Sequence, residues 1–215
     1  MYNPVARSPE GQRGLSRELG SIDEVLRGHL RTSFELTNEE MGEGAFSHSL
    51  DLFCEQVSGV GRTLAGAAKD FVFSLRWSGA SPQAVVVARY ELAKREIVHV
   101  GPQPLSAADL HRASAGQLLG MRVRRHPGAR AIAFDEGAPA ALVARYPNLA
   151  DSAGLLLAGR KCGALVLPLD TDELSLFAKL ARSRDLFDVL VGDKANGASP
   201  SAFHRLVTLG AVVAA

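Results

Sequence analysis

"AGLLLAGRKCGALVLPLDTDELSLFAKLA", residues 153–181, decides how this chain folds. Two apolar runs, "GLLLA" and "GALVLPL", flank the basic, glycine-containing turn "GRKC". Apolar runs of that length bounded by turn residues read as a hairpin of paired strands. Asp170 or Thr171 then caps a final helix, "DELSLFAKLARSRDLFDVLVG" at residues 172–192. Leu174, Phe177, Ala178 and Ala181 recur at i, i+3, i+4 and i+7, which gives that helix one apolar face. Asp170, Asp172 and Glu173 fall at its start, where the helix dipole favours negative charge.

Before the hairpin, "MRVRRHPGARAIAFDEG" alternates Met121 and Val123 with Arg122 and Arg124, the pattern of a half-exposed or edge strand. "ARAIAF" reads as a second short strand, and "APAALVARYPNLADS" as a short helix stopped near Pro147. "DFVFSLRW" and "SPQAVVVARY" are rich in β-branched and aromatic residues and read as strands, with "IVHVG" as a returning partner. "PLSAADLHRASAGQLLG" is a helix from its Ser106 cap to Gly120. The resulting order predicts an α+β fold, a central antiparallel sheet flanked by helices.

Towards the N-terminus, Phe46, Leu50, Phe53, Val57, Val60 and Leu64 begin a 4-3-4-3 seam that runs through residues 45–71. A period of 3.5 marks a helix that packs in a core or pairs with a second copy of itself. Gly59, Gly61 and Gly66 each weaken such a helix by about 1 kcal/mol relative to Ala. Ser21 and Glu24 form a capping box for an earlier helix. Residues 1–20 read as a mobile tail, 21–44 as a helical extension, 45–192 as the main domain and 193–215 as a C-terminal extension. In the last of these, "AFHRLVTLGAVVAA" reads as a final strand or a docking helix.

The order and texture of residues 45–192 resemble a GAF domain, within a GAF/PAS-like architecture. "AVVVARYELAKREIVHVG" is similar to that family's opening hairpin. "GLLLAGRKCGALVLPLDTDELSLFAKLA" is similar to its closing strand-turn-strand-helix unit. The match departs from the pattern in an extra strand, "FVFSLRWSGASP", and in "LPL" falling after the closing turn. The resemblance implies a non-catalytic regulatory or sensor domain that dimerises and takes a small ligand in the pocket region, with another protein as output partner. His99, His111, Arg112, Arg130 and Asp135 are the candidate ligand residues. Alternatives from other classes are a protein-interaction adaptor without a small ligand, and a small enzyme.

The remaining motifs exclude more than they assign. The chain has 215 residues and a formal net charge of +1, so no global field draws it to nucleic acid or to anionic membrane. Arg122, Arg124, Arg125, His126 and Arg130 suit a small anion such as phosphate or carboxylate, but no aromatic residues interleave with them to stack bases. The six histidines show no ligand spacing, which argues against a metal. No phosphate loop and no G-x-S-x-G elbow occurs, so no catalytic residue is assigned, and no cofactor is identified. Cys54 and Cys162 stand far apart without a CxxC pair, the usage of a reducing compartment, so a cytoplasmic location is expected. There is no signal-peptide run and no stretch of about 18 apolar residues, so no membrane partner is expected.

Overall fold

Ala67, Phe71 and Leu75 are spaced four apart, and the computed structural model of the protein places them on the buried side of a helix. The described residues are 23–57, 63–97, 103–160, 163–191 and 199–215. They belong to two compact units, Met1–Leu92 and Ala93–Ala215. The boundary falls inside the 45–192 span that the sequence suggests as one domain.

The first unit is helical. Helix α1 is described over residues 23–33, followed by α2 (Glu35–Met41), α3 (Glu43–Val57), α4 (Leu64–Leu75) and α5 (Pro82–Glu96). The 45–71 seam is therefore two helices. Thr63 starts the second by accepting the Gly66 amide at 3.1 Å. Phe71 sits at the centre of the core, with the rings of Phe34, Phe46 and Phe53 at 5.2, 5.7 and 5.5 Å. The tilted and edge-on geometries are those that aromatic quadrupoles favour. Helix α2 begins after Phe34, which has no capping side chain. Glu91 of α5 supplies the cap: its buried carboxylate accepts the amides of Leu36 and Thr37 at 2.9 and 3.0 Å and the Thr37 hydroxyl at 2.7 Å.

Two segments expected as strands are helices. "SPQAVVVARY" lies in α5, where Pro82 takes the first helical position and Ser81 accepts the Ala84 amide at 3.1 Å. Ala84 through Ala88, Tyr90 and Glu91 are buried, so burial nearly all round erased the helical period. A valine costs well under about 1 kcal/mol in a helix relative to alanine, and packing of this extent outweighs it. "DFVFSLRW" lies in α4 and the turn after it. Gly79, at φ +80°, ends that turn while the Ala80 amide reaches back to the Leu75 carbonyl at 3.3 Å. The part of "IVHVG" after Ile97 lies outside the described residues, as do Val60 and the Ser21 cap.

The second unit mixes helices and strands. It runs α6 (Ala107–Arg112), α7 (Ala115–Leu119), β1 (Arg122–Arg125), β2 (Ala129–Ala133), α8 (Ala140–Arg145), β3 (Gly154–Arg160), β4 (Gly163–Leu169), α9 (Thr171–Lys179), β5 (Arg184–Asp185), α10 (Leu186–Val191), α11 (Pro200–Thr208) and β6 (Val212–Ala214). The hairpin read from residues 153–169 is β3 paired with β4, antiparallel from Gly154↔Leu169 to Arg160↔Gly163. Asp170 caps α9 in a full capping box with Glu173, but the helix expected over residues 172–192 stops at Lys179, because Arg184–Asp185 pairs with β1 as β5 before α10 begins at Leu186. The expected helix at 104–120 is two helices, because Ser114 opens a second capping box with Gln117.

The fold class is α+β and the pairing is antiparallel, but the strands divide between two three-stranded sheets, β5-β1-β6 and β2-β3-β4. With 82–96 helical, the expected opening hairpin of one central sheet does not form among the described residues. The 193–215 extension supplies α11 and β6 to the core: Phe203, Leu206, Val207 and Val212 pack with Val123, Leu156, Leu176 and Phe177. Leu155, Leu156 and Leu157 are all fully buried, so both faces of β3 are covered.

Candidate functional site

The 3.6-residue period of α4 sorts its aromatic residues into two sets. Phe71 and Leu75 turn inward, and Phe73 and the following Trp77 turn outward. Phe73 is 63% exposed, and Trp77, the one tryptophan of the chain, is 79% exposed. Their rings lie 6.4 Å apart at 58°. Together they border a groove of about 420 Å³ between α3 and α4, lined also by Leu52, Gln56, Asp70 and Ser74. The floor is fixed: Ser78 donates to the Ser49 hydroxyl at 3.1 Å, and Phe53 packs edge-on against Phe71. Two large aromatic rings are thus left in water on the rim of the groove.

The seam residues have another task. Phe46, Leu50, Phe53 and Val57 are buried in the core of the first unit itself, and Leu64 is 43% exposed at the start of α4. Strand alternation would place Phe71, Phe73, Leu75 and Trp77 on one face, which is why the sequence reading missed the groove. The signal that finds it is the i, i+4 pair of Phe73 and Trp77 beside a second i, i+4 pair at Phe71 and Leu75.

The candidate ligand residues scatter over the second unit. His111 and Arg112 are exposed on α6, and Arg112 lines an open hollow of about 510 Å³ with Asp109, Gln117, Met121 and Arg122. Two of these groups are used by helix starts. Asp109 accepts the Ser106 amide at 3.0 Å and its hydroxyl at 2.6 Å, and Ser106 holds its carboxyl below the usual carboxylate range. Gln117 accepts the Ser114 amide at 2.8 Å. Arg130, on β2, donates to the Pro127 and Ala129 carbonyls, and Asp135 follows β2 in a bridge with Gly137. Neither lines the hollow with Arg112. His99 lies outside the described residues.

Among the described residues, no three His, Cys, Asp or Glu side chains gather in a group that could hold a metal ion. Burial pushes the Cys54 thiol up, away from the thiolate that nucleophilic chemistry needs. Cys162 lies outside the described residues. No helix among the described residues is long and apolar enough to cross a membrane. No protein-family model matches the chain, and no curated protein sequence matches it.

Proposed function

We propose that this chain is a non-catalytic, cytoplasmic interaction module that holds an amphipathic helix of a partner protein in the α3/α4 groove. The exposed Phe73–Trp77 pair on the rim of that groove carries the reading. A groove between two helices takes an apolar helical face through anchors spaced at i, i+3 and i+4. The partner's polar face is basic. Asp70 is the charged group lining the groove, Glu55 is exposed one turn of α3 away, and residues 1–92 carry nine Lys and Arg against twelve Asp and Glu.

Trp77 is its own reporter. Titration with a short helical peptide bearing a leucine face and lysines elsewhere shifts its emission to the blue, saturably, in the intact chain. Phe73→Ala abolishes the saturation. Emission of a fully hydrated indole throughout the titration overturns the reading. So does a concentration-dependent dimer in light scattering that Trp77→Ala dissolves, since the occupant would then be a second copy.

A second reading keeps the GAF-like regulatory domain with a small anionic ligand. It is favoured by the closing β3-β4-α9 unit and by Arg112 and Arg122 sharing one hollow. A thermal-shift screen of small phosphates and dicarboxylates tests it, because a ligand at about 100 times its dissociation constant stabilises by about 2.7 kcal/mol.

A further inference from the structure

We propose that the second unit carries a docking surface for an acidic peptide segment of a partner protein, formed by the arginines of β1, of the neighbouring α6 and of the turn that precedes β5. Arg112, Arg122, Arg124 and Arg182 are all exposed, while Arg184, paired with Val123, falls on the other face of β1. The backbone brings the first four together. The Arg125 amide bonds to the Leu180 carbonyl at 2.8 Å, Arg122 donates to the Ser183 carbonyl at 3.3 Å, and Arg184 donates to the Lys179 carbonyl at 3.1 Å. The turn after α9 is thereby laid along β1, while Arg122 and Arg112 line the same hollow. Arg122 and Arg124 point from one face of β1, about 7 Å apart, the spacing of alternate side chains in an extended peptide. Guanidinium forks grip carboxylates through two parallel bonds.

Three observations favour a peptide over nucleic acid. Exposed aromatic rings for base stacking are missing from the hollow's lining and from β1 and β5. The α10–α11 helix pair offers no cation for base reading, because Arg205, the one on α11, is held by Glu173 at 3.0 Å and by the Pro168 carbonyl. Asp109 and Asp185 interrupt the tract, and Asp185 sits 3.5 Å from Arg122, which a continuous phosphate backbone would meet unfavourably.

The test is fluorescence anisotropy with a short labelled peptide rich in Asp and Glu. The intact chain binds it saturably, and more weakly as salt rises. Arg124 and Arg182 make no side-chain hydrogen bond or ion pair among the described residues, and Arg112 interacts through its charge with Asp109. Each change of one of these arginines to Glu weakens binding about tenfold or more. Arg145→Glu, exposed on α8 outside the tract, leaves it unchanged. Three results overturn the proposal: no saturable binding by the intact chain, a triple variant that binds like it, or tighter binding of a DNA duplex of equal charge.

Discussion

The carboxylate of Glu173 lies 3.0 Å from Nε of Arg205, and only 1% of its side chain is exposed. The same carboxylate accepts the Asp170 amide at 2.9 Å, and Arg205 also donates to the Pro168 carbonyl at 3.1 Å. One ion pair thus fastens α11 to the start of α9 and to the end of β4. Arg205→Ala leaves a buried carboxylate short of a donor, at a cost of about 1–3 kcal/mol. Glu173→Ala frees an arginine that is half exposed and rehydrates, but it also loses the reciprocal cap of α9, worth about 1 kcal/mol. Denaturant unfolding of both variants should show Arg205→Ala at least as destabilised as Glu173→Ala. Wild-type stability of Arg205→Ala would mean the pair is only surface decoration.

Phe71 and Phe73 stand two residues apart and should respond oppositely to truncation. Phe71 has three aromatic neighbours within 6 Å and no exposure, so Phe71→Ala costs about 3–5 kcal/mol. Phe73→Ala removes an exposed ring and changes stability by about 0.5 kcal/mol or less. Thermal or denaturant unfolding separates the two. Equal losses would place both rings in the core, as a strand here would require.

That pair also shows how far the sequence was legible. Where periodicity, caps or turn residues bounded an element, they located it: β1, β2, the turn-bounded β3-β4 hairpin and the Asp170 cap of α9 follow from residues 121–181, although the helix read on to residue 192 stops at Lys179. Where an element was buried nearly all round, the period vanished. Helix α5 shows an unbroken apolar run at residues 84–88, and its three valines carry the local preference of a strand. Its Ser81-Pro82 start was the contrary signal, and tertiary burial decided the outcome. Read as a strand, "DFVFSLRW" places Phe73 and Trp77 on the same face as Phe71 and Leu75, so alternation does not separate them from the core. The arginines of β1 were legible as a cluster. Their convergence with Arg182 depends on β5, two residues long, pairing with β1 through Arg122↔Asp185 and Val123↔Arg184.

Glu43 gives the first unit a pH dependence of predictable sign. Arg31 at 2.5 Å, then Asn38 at 2.8 Å and Ser47 at 3.0 Å, hold its carboxyl down from an ordinary 4.5 to about 2. A group whose pKa is lower in the folded state stabilises fully above its unfolded value. That contribution fades as pH falls from about 4.5 through about 2. Glu43→Gln should therefore flatten the dependence of unfolding free energy on pH in that window and leave the slope above pH 5 unchanged. An identical acid limb in the variant would mean Glu43 titrates alike in both states.

Gly154 opens β3 where no side chain fits. A Cβ there would stand 2.5 Å from the Ile132 carbonyl oxygen, 2.9 Å from Leu174 Cδ1 and 3.1 Å from Ala133 Cα. The leucine could rotate away. The other two atoms are backbone of β2, paired with β3 through Ile132↔Leu155 and Ala133↔Gly154. Gly154→Ala must push β2 aside or break that end of the ladder, and overpacking of this kind costs about 1–3 kcal/mol. Alanine would otherwise gain about 0.4–1 kcal/mol by restricting the unfolded chain, so the sign of the change is diagnostic. Amide exchange of residues 129–133 should quicken in the variant along with the loss of stability. A Gly154→Ala protein as stable as the parent would require β2 to lie farther from β3 than the pairing places it.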